Sequence, residues 1–298
     1  MKTALILIKR NVKLFFKDKG MFFTALITPG ILLVLYATFL KNVYMDSFTS
    51  GLPDGFTLDK SIMEGLVGGQ LVASLLAVSC VTVAFCSSFL SVQDKVNGAR
   101  RDLMIAPISG VLLSFGYYVA TLISTLIICY CATAISIGYL LIVGFYLSGA
   151  DILLLFLDVT LLALFGVALS SIISHFLSSQ GQISAVGTVI SSCYGFICGA
   201  YMPISSFGEG LKKVVLLLPG TYGTSLLRDH ATRGVLAEMN LEGVPAEVIE
   251  SIKDSIDANL YFSGERVESH VMYLIVGATT ALLIGAYVLI NAVRKKAK

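Results

Sequence analysis

Few side chains in this sequence are spaced to make or break a covalent bond. The three histidines, His175, His230 and His270, stand alone, and Cys129-Ala-Cys131 has no second pair of ligands beside it, so no metal-ligand spacing is present. A Gly-x-x-x-x-Gly-Lys phosphate loop, a Gly-x-Ser-x-Gly elbow and a His-Glu-x-x-His zinc motif are all missing. Such a chain cannot hydrolyse a nucleotide by itself. Cys80, Cys86, Cys129, Cys131, Cys193 and Cys198 all fall in apolar runs, where a cysteine reads as a small hydrophobe and not as half of a disulfide. Asp158 is the one acid well inside such a run. A cation or proton relay needs several intramembrane acids, so an ion-driven carrier is disfavoured, and Asp158 reads as a packed or snorkelled group.

Two segments concentrate the remaining signal. In Gln93–Ser109, Asn97-Gly98 marks a bend, and Arg100–Ala106 reads as a short helix that Pro107 must end, because proline disfavours helix in the residue before it. Asp94, Arg100, Arg101 and Asp102 form its polar side, while Leu103, Met104 and Ile105 are available for packing. A rigid charged helix joining two spans is something a partner can push against, although a solvated loop would look the same. In Gly199–Tyr222, Pro203 and Pro219 bracket the apolar stretch Val214–Leu218, which is too short to cross a bilayer. A re-entrant hairpin over 199–222 resolves that conflict, since irregular backbone at membrane depth must be buried in protein or line a cavity. Tyr201 and Tyr222 are its candidate gate or interface aromatics.

The elements that hold these segments are set by composition. Of 298 residues, 56% are hydrophobic and 13% charged, and the mean hydropathy is +0.86. An ordinary soluble domain carries about 25% charge, so a soluble enzyme is excluded, and a net charge of +2 argues against nucleic-acid binding. Apolar runs at about 21–40, 64–92, 111–138, 150–174, 182–200 and 271–291 predict six transmembrane helices in an all-α, polytopic single domain. Leu103–Ala150 has no charged residue and is long enough to hide a second helix; one is expected, because two would invert the charge balance downstream. Residues 1–19 mix Lys2, Lys9, Arg10, Lys13, Lys17 and Lys19 with Leu5, Ile6, Ile8, Val12, Phe15 and Phe16, the pattern of an amphipathic interfacial helix. If both termini are cytoplasmic, 13 of the 21 basic residues lie inside, in the N-terminal helix, at Lys95, Arg100 and Arg101, and in the tail Arg294–Lys298. Residues 41–63, with the turn signal Pro53-Asp54-Gly55, and 223–270 are then extracellular, and Ala246–Leu260 reads as a short helix with Val248, Ile249, Ile252 and Ile256 on one face. Gly65-x-x-x-Gly69 and Gly195-x-x-x-Gly199 would let helices approach closely.

The spacing Gly98-Ala99-x-x-x-Leu103-Met104-x-x-Pro107-Ile108-Ser109 resembles the cytoplasmic-loop signature of type-two ABC exporter permeases. Gly199-x-x-x-Pro203-Ile204-Ser205, followed by Leu211 and Pro219-x-Thr221-Tyr222, resembles the signature after their fifth span. The chain departs from the pattern at Val96, where an acid is frequent, at Ala99, where Thr is, and at Gly208, where proline is. The resemblance implies the transmembrane permease subunit of an ATP-driven exporter in the plasma membrane. Two cytoplasmic ATPase subunits, holding the ATP and Mg²⁺, would dock on Asp94, Gly98, Arg100, Arg101, Asp102, Leu103, Met104 and Pro107, and a second permease subunit would complete the pathway. This chain itself would carry no cofactor and no catalytic residue. Gly199, Tyr201, Pro203, Pro219 and Tyr222 would shape the exit. Ser, Thr, Phe and Tyr in the second, third and fifth spans suit an amphipathic cargo such as a drug, a lipid-linked compound or a peptide. A polysaccharide or glycolipid exporter of the same family, or a non-transporting sensor or scaffold, are the alternatives.

Overall fold

The computed structural model describes residues 2–35, 38, 41–42, 45, 59–106 and 108–296. The turn signal Pro53-Asp54-Gly55, Pro107 and Lys298 lie outside the described residues. Helix α1 (Lys2–Lys17) buries Leu7, Asn11 and Phe15, one residue per helical turn, and turns its lysines outward. Asp18 breaks it and starts α2 (Lys19–Leu35), its carboxylate accepting from Met21 N–H at 3.1 Å.

Helix α3 (Lys60–Val96) is the axis of the bundle. It is apolar on all sides, and the physical consequence is burial all round: α2, α5 (Gly110–Val143), α6 (Gly149–Phe176), α7 (Gln180–Ile197) and α9 (Pro219–Leu241) all pack on it. Glycines set the closest approaches. A Cβ on Gly69 would stand 2.6 Å from the carbonyl oxygen of Ala231 in α9, and one on Gly166 of α6 would stand 2.9 Å from Cys80 O. Ser148 with Asp151, and Ser179 with Gln182, form reciprocal capping boxes that fix the starts of α6 and α7. After α9, α10 (Ala246–Ser255) buries Ile249 and Ile252 with Ile256 just beyond its end, a two-stranded ribbon (β1 Tyr261–Phe262, β2 Glu265–Arg266) follows, and α11 (Ser269–Lys296) closes the chain against α6 and α9.

Leu103–Ala150 holds one long helix, α5, preceded by the short α4 (Ala99–Ile105). Among the described residues four helices are long and apolar enough to cross a membrane: Lys60–Val96, Gly110–Val143, Gly149–Phe176 and Ser269–Ala292. Large apolar side chains such as Ile135, Leu141, Leu274, Leu282 and Leu289 are exposed on α5 and α11, a surface that lipid satisfies and water does not. The chain is an all-α, multi-pass membrane protein. The other two expected spans are shorter: α2 is described for 17 residues, and α7 has 18, with Gln180, Gln182, Ser184 and Thr188 diluting its first half.

Contacts divide the bundle into two ends. At one lie α1, α4 and the last turns of α11, since Arg10 meets Asp94, and Tyr287 of α11 donates to Ser114 O at 3.2 Å. At the other lie the start of α3 and the α5–α6 turn, where the hydroxyls of Ser61 and Tyr146 are 2.9 Å apart.

Candidate functional site

The loop from α3 to α5 is built from Gly98 upward. Its φ of +81° is left-handed backbone, and a Cβ there would meet nothing within 4 Å, so conformation and not crowding calls for glycine. The turn lets Gly98 O accept from Arg101 N–H at 2.8 Å and so begin α4. The helix ends at Ala106, whose extended backbone (φ −69°, ψ 153°) suits the residue before a proline.

The predicted docking residues divide by direction. Arg101, Asp102, Met104 and Ile105 are exposed, Ile105 at 84%. Leu103 turns inward onto Leu7 of α1 and Leu113 and Tyr117 of α5. Arg100, grouped by sequence with Arg101, instead lines a polar cleft within the bundle. Asp94 is buried: Arg10 Nη1 lies 2.7 Å from its carboxylate, and the Tyr117 hydroxyl donates to it at 2.5 Å. That hydrogen bond to Asp94 holds the Arg10 guanidinium above its ordinary pKa. Asp94 is therefore a brace for the loop and not part of its outer face. Lys95 Nζ donates to the carbonyl oxygens of Ser174, His175 and Leu177 at 2.8 to 3.0 Å, capping the end of α6.

The second predicted segment is a chain of turns. Gly199 has φ +75°, and a Cβ there would stand 2.8 Å from Ile204. Gly195 lies under the ring of Tyr201, which also meets Phe196 edge-on at 5.1 Å. Pro203 precedes the 3₁₀ turn Ile204–Ser206, α8 (Glu209–Val215) follows, and Pro219 occupies the first position of α9, where its missing N–H costs nothing. Tyr222 is buried; its hydroxyl donates to Leu216 O at 2.7 Å, and Thr221 donates to Val215 O at 2.8 Å, so both side chains lock the turn between α8 and α9.

Helix α9 is the element the sequence reading did not foresee, since that reading treated 223–270 as an extracellular segment and assigned no helix at its start. It runs unbroken from Pro219 to Leu241 and packs between α3, α6 and α11. Its buried Arg228 pairs with Asp257 at 3.0 Å and donates to Gly199 O, while Ile204 N–H donates to the same Asp257 carboxylate at 2.7 Å. Its buried His230 places Nδ1 2.5 Å from Asp158 of α6, whose other oxygen accepts from Tyr273 of α11, also at 2.5 Å. Asp158 is thus a packed group with two partners, and His230 is not solitary. The missed signal was the run Arg228-Asp229-His230 directly after Leu226 and Leu227, in a stretch opened by Gly220 and Gly223. Among the described residues no cluster of His, Cys, Asp and Glu could hold a metal ion.

These arrangements position helices against one another. Comparison with curated proteins finds no match. The family model for the ABC-2 type transporter matches residues 3–230 of the 298, a stretch running from α1 through the loop at Gly98 to the buried half of α9. The chain therefore belongs to the ABC-2 type transporter family and is a permease component of an ABC transporter.

Proposed function

We propose that this permease exports an amphipathic molecule, working with two cytoplasmic ATPase subunits that carry ATP and Mg²⁺ and with a second permease subunit. In this reading it sits in the plasma membrane with both termini in the cytoplasm, α2 and α7 complete a set of six spans, and 199–222 is a re-entrant hairpin. The positive-inside distribution of Lys and Arg supports the orientation.

The observation that carries the proposal is the bracing of α4. A seven-residue helix offers Arg101, Asp102, Met104 and Ile105 outward, while Leu103 packs it on α1 and α5 and the Arg10–Asp94 pair ties α1 to the end of α3 from which it departs. A load applied to α4 therefore reaches three long helices directly and, through α3, the α9 helix packed on it. Closure of the ATPase pair shifts the membrane equilibrium by its differential affinity for the two states. Exposed Ser184, Thr188 and Ser192 on α7, beside exposed Val189 and Phe196, support a cargo with polar and apolar parts.

Replacing 98–107 with an unrelated flexible loop tests the proposal. The expected result is a folded permease that no longer co-purifies with its ATPase and loses cargo-stimulated ATP turnover. Intact co-purification and turnover would overturn it.

A further inference from the structure

The segment that follows α10 is buried more completely than α10 itself. Ile256, Asp257, Ala258, Asn259 and Leu260 are all buried, whereas α10 buries Ile249 and Ile252. Ser225 of α9 donates to Ala258 O at 3.0 Å, and Asp257 reaches the turn after α7, 53 residues away in the chain. Its carboxylate accepts from Ile204 N–H at 2.7 Å and from Arg228 Nη1 at 3.0 Å, and Nη2 of the same guanidinium donates to Gly199 O. Gly199 and Ile204 bound the tightest part of that turn: Gly199 is left-handed at φ +75°, and a Cβ there would stand 2.8 Å from the Ile204 side chain. One carboxylate and one guanidinium thus supply a partner to a backbone group at each end of the 199–204 turn.

Asp257 itself sits in left-handed backbone at φ +52°. Glycine adopts that conformation most readily; aspartate tolerates it and adds the carboxylate. The side chains of Arg228 and Asp257 are 1% and 5% exposed, and among the described residues each is the other's only ion-pair partner. Pulling the turn or the segment away from this pair would leave a buried charge unpaired and a buried N–H or C=O unmet, and both are costly away from water. The motions of low cost are those that keep the turn, Arg228 and the segment together. The segment is joined in the same way to α10 and the ribbon. Asn259 donates to Glu250 at 3.0 Å and to Asp254 at 2.7 Å, and the Tyr261 hydroxyl donates to Asp254 at 3.0 Å.

We propose that Asp257 is the positioning residue of the turn after α7. It clasps 199–206 to the 246–266 element, so that the two shift as one body with the middle of α9. Because this turn opens the 199–222 hairpin, the 246–266 element becomes a handle on the exit. That consequence rests on the export reading above, whereas the clasp does not.

Hydrogen exchange read by mass spectrometry, on the full chain in lipid nanodiscs, tests the clasp, because coupled segments must affect each other reciprocally. Asp257→Ala should speed exchange over 199–206 by about tenfold or more, the worth of one buried hydrogen bond to a charged group. Gly199→Ala, which forces a side chain into left-handed backbone against Ile204, should speed exchange over 256–260 by about threefold or more. Asp257→Asn keeps an acceptor for Ile204 N–H but drops the charge facing Arg228, so it should fall between the wild type and Asp257→Ala. Glu247→Gln, exposed on α10, should leave the turn within about twofold of the wild type. Should Asp257→Ala fail to fold, Asp257→Asn and Gly199→Ala read the clasp from its two sides. Unchanged exchange over 199–206 in the Asp257 variants, an effect of Gly199→Ala confined to its own turn, or equal speeding in α3 would overturn the proposal. Failure of the export reading would leave these exchange results in place.

Discussion

Arg10 and Asp94, 84 residues apart in the chain, meet at 2.7 Å and tie the amphipathic N-terminal helix to the C-terminal end of the central helix. The Tyr117 hydroxyl shares the same carboxylate, so three helices converge on one buried charge. Arg10→Gln should lower stability in detergent by about 1–2 kcal/mol, toward the low end for a charged hydrogen bond because Arg10 remains 29% exposed. Its effect should not add to that of Tyr117→Phe, since both act on Asp94. A double-mutant cycle of thermal unfolding measures this, and strict additivity would contradict the shared site.

The buried acid of α6 makes a sharper prediction. Asp158→Ala leaves His230 and Tyr273 facing each other without their acceptor and should cost about 3–5 kcal/mol. Asp158→Asn keeps an acceptor in place and should cost less than half of that. A thermal shift in detergent compares the two, and equal losses would mean that the carboxylate's partners are incidental.

The two small-residue environments should respond with opposite sign. Gly69→Ala drives a methyl group into the α9 backbone at Ala231 and should destabilise by about 1–3 kcal/mol. Gly277→Ala, in α11 with nothing within 4 Å, should be neutral or stabilise by up to about 1 kcal/mol through helix propensity. Melting temperatures of the two variants, measured side by side, decide it.

Beyond α9, Glu250 gathers Lys253 at 2.9 Å, Asn259 at 3.0 Å and Arg266 at 3.3 Å, joining α10 to the ribbon. The hydrogen bond from Lys253 leads in holding its carboxyl below the ordinary value. A depressed carboxylate pKa contributes stability above the unfolded value, near about 4.3, and loses it as pH falls through the folded one. Amide exchange over 246–266, corrected for intrinsic rates, should therefore lose protection below about pH 4, and Glu250→Gln should remove most of that pH dependence while lowering protection at pH 7. An unchanged profile in the variant would place the acid sensitivity elsewhere.

Wherever local patterning was strong, the fold could be read directly. The amphipathic helix at the N-terminus forms as its lysine pattern predicts, although of the apolar residues named for it only Phe15 is fully buried and Leu7 and Asn11 complete the packed face; Asn97-Gly98 bends the chain before a short helix, and Ile249, Ile252 and Ile256 mark one face of α10. Helix α9 was hidden because it reverses the usual cue. Its small and polar residues, Gly220, Gly223, Thr224, Ser225, Arg228 and His230, are buried by partners supplied elsewhere in the chain. Hydropathy averages over a window and cannot see a partner 72 residues away at Asp158.

The amino-acid sequence by itself determined that this chain lives in a membrane, which end of it gathers positive charge, and where the loop between α3 and α5 bends, because each follows from composition or from neighbours within one helical turn. Only the tertiary structure decided that Arg100 lines a cleft while Arg101 is exposed, that Asp94 braces α1, and that Arg228, His230 and Asp158 are buried and paired. Those outcomes depend on how helices rotate about their axes when they pack, and that rotation is fixed by contacts between segments far apart in the chain.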